Sequence, residues 1–461
     1  MSRDYRRYSY WLDACGEDLT PRPPLDGSTD VDVAILGAGF TGLWTAWYLL
    51  EHDPSLNVAI VERSIAGFGA SGRNGGATSA SFPYSLGRLE KDFGRDTARS
   101  TYFAMKESLE EILRVAESEN IDAHQHQGGS MRFARGSHHL KAIDADLETY
   151  ARLGLEQYVR PLTADEVRRR VNVSDVLRGI YHPGNAVIQP ARLARGLARA
   201  VERKGGMIHE ETSVLDWETG ASPRLMTTRG DVRARVIVLA GEAYLSQLPK
   251  TRRAVAPFHS LMTVTEPLTE EQWSEIGWEN RETIGTTQYN VNYHQRTADG
   301  RIAFGGLGAP YYFGSKIRDL WEPDHSIYQK LRQLAVEWFP VLQGVRFTHA
   351  WGGPFGMPRD RMPSMTFDRA NGIAWSRGYT GQGVTTANLA GRVLADLICE
   401  TDSDLLKLPP VNHRSPDWEP EPLRWTGIRF IQSGYDEIER RAEATGEPPT
   451  GRTLAERIGW R

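Results

Sequence analysis

The sequence predicts an α/β protein in which a buried parallel sheet, with its covering helices, is interrupted by a second structural domain. The first observation is length, because 461 residues exceed what one hydrophobic core usually serves. The second is a strand–helix–strand unit over residues 31–62, whose size of about 30 residues is typical of this motif. The third is that strand-forming segments separated by helices return in the second half of the chain.

The strand–helix–strand unit is defined by a change in hydrophobic pattern. Residues 31–36 are mostly β-branched or apolar, as expected for a strand buried on both faces of a parallel sheet. Residues 41–51 carry Leu, Trp and Ala at helical spacing, and residues 57–61 form a second apolar strand. The uncharged stretch 33–50 is long enough to suggest a membrane helix, but its three glycines favour a strand, a tight turn and a helix.

The remaining elements follow from the same patterns. Helices are expected at residues 85–119, 164–171, 190–205, 326–339 and 384–400, and strands at 207–210, 213–217, 225–228, 236–240, 261–265 and 301–305. Three parts of the chain are predicted. The first is a discontinuous domain built on the parallel sheet, of residues 28–95, 182–256 and 346–405, the second is a domain of residues 96–181 and 257–345, and the third is a C-terminal helical or extended tail of residues 406–461. Because the chain becomes polar and Pro-rich after Pro409, the helix of the tail is expected to be short.

Composition excludes several classes of partner. A formal charge of -4, from 55 basic and 59 acidic residues, provides no overall positive field, so neither nucleic acid nor a membrane is expected as a partner. Cys15 and Cys399 are too few for a disulfide framework, and His124 and His126 lack companions at ligand spacing, so no metal site is expected. The N-terminal residues have no signal-peptide pattern, and we expect a cytoplasmic protein.

The turn between the first strand and the first helix carries the motif Gly37-Ala38-Gly39-Phe40-Thr41-Gly42. Gly37 permits a sharp turn, Gly39 admits a pyrophosphate close to the backbone, and Gly42 allows the helix to pack against the strand. The helix N-terminus offers N–H groups and a positive dipole end to the phosphates. Glu62, at the end of the second strand, can accept hydrogen bonds from both ribose hydroxyls of an adenosine, and its charge disfavours NADP. A buried turn without a ligand is the alternative, but strand, helix and acid together favour a dinucleotide site.

Two more glycine-rich segments accompany this motif. Gly67-Phe68-Gly69-Ala70-Ser71-Gly72-Arg73-Asn74-Gly75-Gly76 follows Glu62, and Gly378-Tyr379-Thr380-Gly381-Gln382-Gly383 precedes the helix at 384–400. Either segment alone could be an ordinary loop. Together with the first motif they resemble the D-amino-acid oxidase superfamily of FAD-dependent oxidoreductases, most closely its gamma-glutamylputrescine oxidoreductase and glycine or sarcosine oxidase branch. The resemblance extends over about residues 5–430.

The resemblance implies a Rossmann-like FAD-binding domain of the glutathione-reductase type, interrupted by a mostly antiparallel substrate-binding domain. The residues then expected to contact FAD are Gly37, Gly39, Phe40, Thr41, Gly42, Glu62, Arg63, Gly69, Ala70, Ser71, Gly72, Arg73, Asn74, Gly75, Gly76, Val214, Ala240, Gly241, Trp351, Gly378, Thr380, Gly381, Gln382, Gly383 and Val384. This chain departs from the family pattern at Glu242, where the family has Gly, and at Pro358, where it has Thr.

The resemblance also implies that side chains of the covering sheet face the substrate. Candidates in that sheet are Arg132, His259, Tyr289, Tyr293 and His294. We predict His259 as the first catalytic candidate, because relatives carry a basic residue near the flavin at this position. Tyr289 and Tyr293 are predicted as a catalytic aromatic wall, although aromatic residues alternating along a strand are also typical of a core.

The reaction implied is FAD-dependent oxidation of an amine or amino acid to an imine, by hydride transfer to flavin N5, followed by hydrolysis. The expected partners are a small-molecule amine or amino-acid substrate and an electron acceptor, either oxygen or another compound. FAD is expected to bind non-covalently, because Arg73 and Asn74 stand where some relatives carry a flavin-linked His, and the region of Trp351 lacks their Cys. Two alternatives remain open: an NAD(P)H-dependent flavin hydroxylase, and a non-catalytic flavoprotein subunit of a larger assembly.

Overall fold

The computed structural model describes residues 3–287 and 291–459. Its strands are β1 (Thr29–Leu36), β2 (Val58–Val61), β3 (Ala77–Thr78), β4 (Ser130–Ala134), β5 (Arg160–Thr163), β6 (Arg178–His182), β7 (Ala186–Val187), β8 (Met207–His209), β9 (Val214–Glu218), β10 (Arg224–Thr227), β11 (Asp231–Leu239), β12 (Ala256–Thr265), β13 (Thr283–Thr286), β14 (Tyr293–Arg296), β15 (Ile302–Gly305), β16 (Phe347–Met357), β17 (Ser364–Asp368) and β18 (Ile373–Arg377). Its α-helices are α1 (Tyr10–Asp13), α2 (Phe40–His52), α3 (Leu86–Phe93), α4 (Arg95–Ser118), α5 (Ser137–Leu153), α6 (Ala164–Arg170), α7 (Pro190–Arg203), α8 (Glu270–Ile276), α9 (Ser326–Trp338), α10 (Gly383–Cys399), α11 (Leu423–Thr445) and α12 (Leu454–Gly459).

The first sheet has the order β17-β18-β11-β1-β2-β8, and β10 and β9 extend it from β11. Strands β18, β11, β1, β2 and β8 run parallel, which requires helical crossovers and buries both faces of the central strands. The middle of β1 is accordingly apolar and buried at Val33, Ala34 and Ile35. Helices α2 and α10 pack closely on one face at Gly391, because a methyl group there would lie only 2.6 Å from Trp44 Cβ.

The second sheet has the order β16-β12-β15-β14-β13-β4-β6-β5. Its neighbours pair antiparallel except for β13 and β4, which run parallel. Its core lies on the side covered by α9, where Trp278, Phe304 and Trp338 are fully buried. The expected α/β class, with one parallel sheet and one mostly antiparallel sheet, is therefore confirmed.

The predicted division into domains differs from the sheets at one element. We predicted residues 346–405 as part of the domain built on the parallel sheet, yet β16 pairs along its whole length with β12 of the antiparallel sheet. Gly352 and Gly353 are strand residues of that pairing, opposite Leu261 and Ser260. The chain returns to the parallel sheet only at β17 and β18.

The C-terminal tail is more structured than its composition suggested. Its helix α11 has 23 residues and is followed by the short helix α12, which packs on it. Gly434 lets the two helices touch, because a methyl group there would lie 2.3 Å from Ala455 Cβ. Within residues 3–287 and 291–459, no helix combines the length and the apolar character needed to span a bilayer.

Candidate functional site

A cavity of about 1060 Å³ opens where the carboxyl ends of β1, β2 and β11 meet strands β12 and β16 of the second sheet. Leu36, Val61 and Ala240 line it at the ends of the three parallel strands. Open parallel sheets bind ligands at this edge, because the loops that follow the strands converge there. The cavity therefore joins the predicted cofactor loops to the predicted substrate sheet.

The first glycine motif forms one wall of the cavity. Gly37 has a φ of +102°, and a methyl group there would lie 3.0 Å from the carbonyl oxygen of Ala240. Gly42 packs against the turn that it follows, because a methyl group at this position would lie only 2.0 Å from the carbonyl oxygen of Gly37. Helix α2 begins after Gly39, and its positive end faces the cavity because Gly39, Phe40 and Thr41 line it. The Phe40 N–H donates a hydrogen bond to Ser71 Oγ at 2.8 Å.

Glu62 is fixed at the edge of this wall by backbone donors. Its carboxylate accepts hydrogen bonds from the N–H groups of Ala38, at 2.9 Å, and Ser64, at 2.8 Å. Burial raises the pKa of Glu62, while the same two backbone bonds lower it. Each carboxylate oxygen has a further lone pair that can accept a hydrogen bond from a ligand hydroxyl. The predicted bonds to the two ribose hydroxyls of an adenosine require these lone pairs. Beside it, Arg63 lies over the ring of Tyr244, 4.7 Å from the centroid.

The second glycine run encloses a buried cation. The Arg73 side chain is fully buried, donates to Asp319 at 3.1 Å and lies 4.2 Å from the centroid of the Phe68 ring. Its Nε and Nη2 atoms have no hydrogen-bond partner among the described residues, although Arg73 lines the cavity. Trp351 lies behind it and donates from Nε1 to the Arg73 carbonyl at 3.0 Å. A buried guanidinium with unused donors is suited to an anionic ligand.

The third glycine cluster leads into helix α10, whose first residue is Gly383. This helix begins without a side-chain cap, and Gly383, Val384 and Thr385 line the cavity. Two helix N-termini therefore face the same cavity from different loops. Such ends bind phosphates and other electron-rich groups through unpaired N–H groups and the helix dipole.

Glu242 connects the third cluster to β16. Its carboxylate accepts hydrogen bonds from the N–H groups of Gly356 at 2.6 Å, Gly378 at 3.0 Å and Tyr379 at 3.3 Å. The residue adopts a left-handed φ of 45°, which is costly for any residue except glycine. Burial raises the pKa of Glu242, and the three backbone bonds lower it. Sequence reasoning did not assign this residue a role, although its departure from the family pattern was visible.

The opposite wall of the cavity comes from β12 and β16. Phe258 and Ser260 line the cavity, and Phe258 stacks on Phe355 of the neighbouring strand with ring centroids 6.0 Å apart. The Tyr293 ring stands close to Gly75 of the second glycine run, and its hydroxyl is hydrogen-bonded to that of Ser260. Burial raises the pKa of Tyr293 to about 12, so the phenol is neutral at physiological pH.

His259 lies between two residues that line the cavity and therefore points to the other face of β12, because successive strand residues alternate. Its ring is fully buried, with Nδ1 3.3 Å from the Pro310 carbonyl and Nε2 3.0 Å from the Arg318 N–H, which donates to it. The imidazole is thus neutral and holds the loop that follows β15. This geometry supports a structural role and does not support the predicted contact with substrate.

The burial of His259 leads to a prediction about acid stability. Burial lowers the pKa of His259 from 6.5 to about 4, so between these pH values the unfolded chain binds more protons than the folded protein. The contribution of neutral His259 to the free energy of unfolding is fully present above pH 6.5. It is lost as the pH falls toward 4, which lowers the free energy of unfolding by about 3 kcal/mol in total. The free energy of unfolding, measured with urea at pH 6.5 and pH 4, should decrease in both proteins. We expect the decrease to be about 3 kcal/mol smaller in His259→Phe than in the wild type. His325→Phe, at an exposed histidine, should retain the wild-type pH dependence, and equal slopes in all three proteins would contradict the prediction.

Most of the residues predicted to contact FAD line this one cavity of about 1060 Å³. These residues are Gly37, Gly39, Phe40, Thr41, Glu62, Arg63, Gly69, Ala70, Ser71, Arg73, Asn74, Gly75, Val214, Ala240, Gly241, Thr380, Gly381, Gln382, Gly383 and Val384. Gly42, Gly72, Gly76, Trp351 and Gly378 do not line the cavity. Gly42, Trp351 and Gly378 contact residues that do, namely Gly37, Arg73 and Pro358.

The substrate candidates are more scattered. Tyr293 lines the cavity, whereas Tyr289 lies outside the described residues. His294 is fully buried, with its ring 3.4 Å from that of Phe304, and Arg132 pairs with Asp146 away from the cavity. Sequence reasoning missed Phe258 and Ser260, although the alternation of β12 around His259 was the signal that could have identified them.

Comparison with known proteins gives one family and several relatives. A family model described as "DAO: FAD dependent oxidoreductase" matches residues 32–397. The chain is 31% identical over 393 residues to gamma-glutamylputrescine oxidoreductase of Escherichia coli (strain K12), covering 85% of this chain and 88% of that protein. It is similar in fold to glycine oxidase from Geobacillus kaustophilus, with a TM-score of 0.69, 20% identity and coverage of 83% and 99%. It is likewise similar to L-proline dehydrogenase from P. horikoshii, with a TM-score of 0.68, 19% identity and coverage of 84% and 96%.

Proposed function

Since the chain belongs to the DAO family of FAD-dependent oxidoreductases, we propose that it oxidises a C–N bond of a small amine or amino acid to an imine, which water then hydrolyses. The family match confirms the resemblance and the FAD dependence expected from the glycine motifs. The names of the similar proteins support the reaction class, because glycine oxidase and L-proline dehydrogenase are both named for amino acids. The observation that carries the proposal is this cavity, which brings the cofactor loops against an aromatic wall.

The residues of the cavity fit FAD. Three features are suited to a diphosphate and to the electron-rich edge of a flavin: the N-termini of α2 and α10, the sharp turn at Gly37 and the unused donors of buried Arg73. We assign FAD contact to the cavity-lining residues of the three glycine segments, with Glu62 toward the ribose and Val214 toward the adenine. Bound FAD supplies the acceptor for the hydride that leaves the carbon next to nitrogen.

The substrate side of the cavity is suited to a neutral amine. Phe258, Phe355 and the ring of Tyr293 form an apolar wall that excludes water and disfavours an ammonium ion. The paired hydroxyls of Ser260 and Tyr293 can orient the amine by hydrogen bonding. Because the pKa of Tyr293 is raised to about 12, its phenol acts as a neutral hydrogen-bonding group and not as a base. No strong general base is required if the amine enters uncharged.

Non-covalent attachment of FAD is part of the proposal. The cavity-lining residues Arg73 and Asn74 occupy the position at which some relatives carry a flavin-linked His. Precipitation of the holoprotein with acid should therefore release the yellow colour into the supernatant. Colour retained in the washed pellet would contradict this part of the proposal.

A screen of amines under anaerobic conditions tests the proposed reaction. Holoprotein is mixed with primary amines, secondary amines and amino acids, and the flavin absorbance is followed. At least one of these compounds should bleach the flavin and yield the corresponding carbonyl compound after hydrolysis. Alcohols of the same carbon skeleton serve as matched controls and should leave the absorbance unchanged. Bleaching by NADPH without bleaching by any amine would overturn the proposal in favour of a flavin hydroxylase, and turnover only with a partner protein would favour a subunit of a larger assembly.

A further inference from the structure

Residues 3–15, which we call the N-terminal segment, precede the family match that begins at residue 32 and carry a series of buried side chains. These side chains pack in one apolar cluster with Phe68 of the second glycine run, Met262 of β12 and Trp351 of β16. The members from the N-terminal segment are Tyr5, Tyr8, Tyr10, Trp11, Leu12 and Cys15. Because they leave water only when the segment is docked, apolar burial holds the segment against the second glycine run.

The N-terminal segment also supplies hydrogen bonds to the carbonyl groups of the second glycine run. Four consecutive carbonyls of the run, at residues 72–75, each accept a hydrogen bond from a side chain. The donors, in the order of the acceptors, are Ser9 Oγ at 2.7 Å, Trp351 Nε1 at 3.0 Å, Trp11 Nε1 at 2.7 Å and Gln295 Nε2 at 2.8 Å. A peptide group is planar, so a fixed carbonyl also fixes the direction of the N–H group in the same plane. These four donors therefore set the peptide planes beside Arg73, Asn74 and Gly75, which line the cavity.

The same segment covers the buried guanidinium of Arg73. The Arg73 Cζ atom lies 5.5 Å from the centroid of the Tyr8 ring, in addition to its contact with Phe68. Arg3 lies over the same two rings, 4.7 Å from the Tyr8 centroid and 4.9 Å from the Phe68 centroid. Aromatic faces attract a cation while keeping water away from it. Undocking of the N-terminal segment would therefore open Arg73 to water and weaken its attraction for a ligand in the cavity.

We propose that the N-terminal segment positions the second glycine run for FAD, with Ser9 and Trp11 as its positioning residues, and that docking of the segment and binding of FAD strengthen each other. This role rests on the proposed FAD contacts of Arg73, Asn74 and Gly75, and is independent of the amine reaction. If the docked segment raises FAD affinity by a given factor, bound FAD must stabilise the docked segment by the same factor. Because Arg73 is a cation, correct positioning of the run should favour the reduced, more negatively charged cofactor over the oxidised one.

Trp11→Phe tests this role because it removes the N–H donor and keeps an aromatic ring. We expect the dissociation constant of oxidised FAD, measured by titration of the deflavinated protein, to rise about tenfold, because the Asn74 carbonyl loses its donor. The midpoint potential of the bound flavin should become more negative, since the reduced form loses more affinity than the oxidised form. Trp47→Phe is the matched control, because Trp47 is also buried, donates from Nε1 to Glu119 at 2.8 Å and does not line the cavity. This control should retain the wild-type FAD affinity and potential.

Hydrogen exchange of the wild-type protein gives a second measurement that needs no variant. Backbone amides of the N-terminal segment should exchange about tenfold more slowly in the FAD-bound protein than in the deflavinated protein, because bound FAD stabilises docking. Amides of α6, which does not line the cavity, are the internal control and should exchange alike in both forms. In Trp11→Phe, the protection that FAD gives to the segment should be smaller than in the wild type.

The outcomes separate this role from the proposed function. Wild-type FAD affinity and potential in Trp11→Phe would overturn the positioning role, and so would exchange of the N-terminal segment that does not depend on FAD. Equal losses of FAD affinity in Trp11→Phe and Trp47→Phe, with an unchanged potential, would also overturn it, because they would reflect a general loss of stability. Each of these results leaves the amine screen unaffected. FAD-dependent docking in a protein that no amine reduces would support the positioning role while the proposed reaction fails.

Discussion

Replacing Gly42 with valine is expected to weaken FAD binding by about a hundredfold or more, because the new side chain must displace the turn that we propose holds the diphosphate. A methyl group at this position would lie 2.0 Å from the carbonyl oxygen of Gly37, which is backbone and cannot rotate away. Either the N-terminus of α2 or the Gly37 turn must therefore move, and both face the cavity. Titration of FAD into the deflavinated protein, followed by quenching of flavin fluorescence, measures the loss.

Gly184→Val is the matched control for this substitution. No atom lies within 4 Å of a methyl group built at Gly184, and its backbone does not require a positive φ. The same change of residue should therefore leave FAD affinity and the thermal unfolding midpoint close to wild type. Wild-type FAD affinity in Gly42→Val would mean that the first glycine motif is an ordinary turn, which is the alternative left open by the sequence.

The local features of the cofactor side could be predicted because each depends on neighbouring residues. The alternation of strand and helix from β1 to β2, the glycine turn and the acid at Glu62 all lie within about 30 residues, a span over which pattern and turn chemistry determine structure. The convergence of three distant glycine segments could be predicted only through the resemblance. Hydrophobic pattern alone does not specify which loops meet at one edge of a sheet.

The substrate side was harder to predict for physical reasons. His259 was selected by residue type, whereas the direction of its side chain depends on strand register, and a shift of one residue exchanges the two faces. Ser260 and Phe258 line the cavity for the same reason. Helix α11 was underestimated because the segment after Pro409 is polar and Pro-rich, although no proline lies within Leu423–Thr445. Tertiary packing against α12 and the cavity compensates for the low helix propensity of Gly427 and Gly434.

Replacing Glu242 with alanine is expected to lower the free energy of unfolding by about 3 kcal/mol, because three backbone N–H groups lose their acceptor. The N–H donors belong to Gly356 at the end of β16 and to Gly378 and Tyr379 of the third glycine cluster, so the carboxylate joins the two segments that flank the cavity. FAD affinity should fall in parallel, by about tenfold, as these segments separate. Urea unfolding and FAD titration measure the two effects.

Two further variants separate the hydrogen bonds of Glu242 from the strain of its backbone. Glu242→Gly removes the cost of the left-handed φ of 45° but provides no acceptor, so it should remain clearly less stable than the wild type. Glu218→Ala breaks an exposed ion pair with Arg224 and should cost less than about 1 kcal/mol. If Glu242→Gly were as stable as the wild type, the hydrogen bonds of the carboxylate would only offset the strain of the left-handed backbone at this position. If Glu242→Gly is less stable, as we expect, the hydrogen bonds of Glu242 outweigh its backbone strain. That result would explain why this chain tolerates a glutamate at a position that suits glycine.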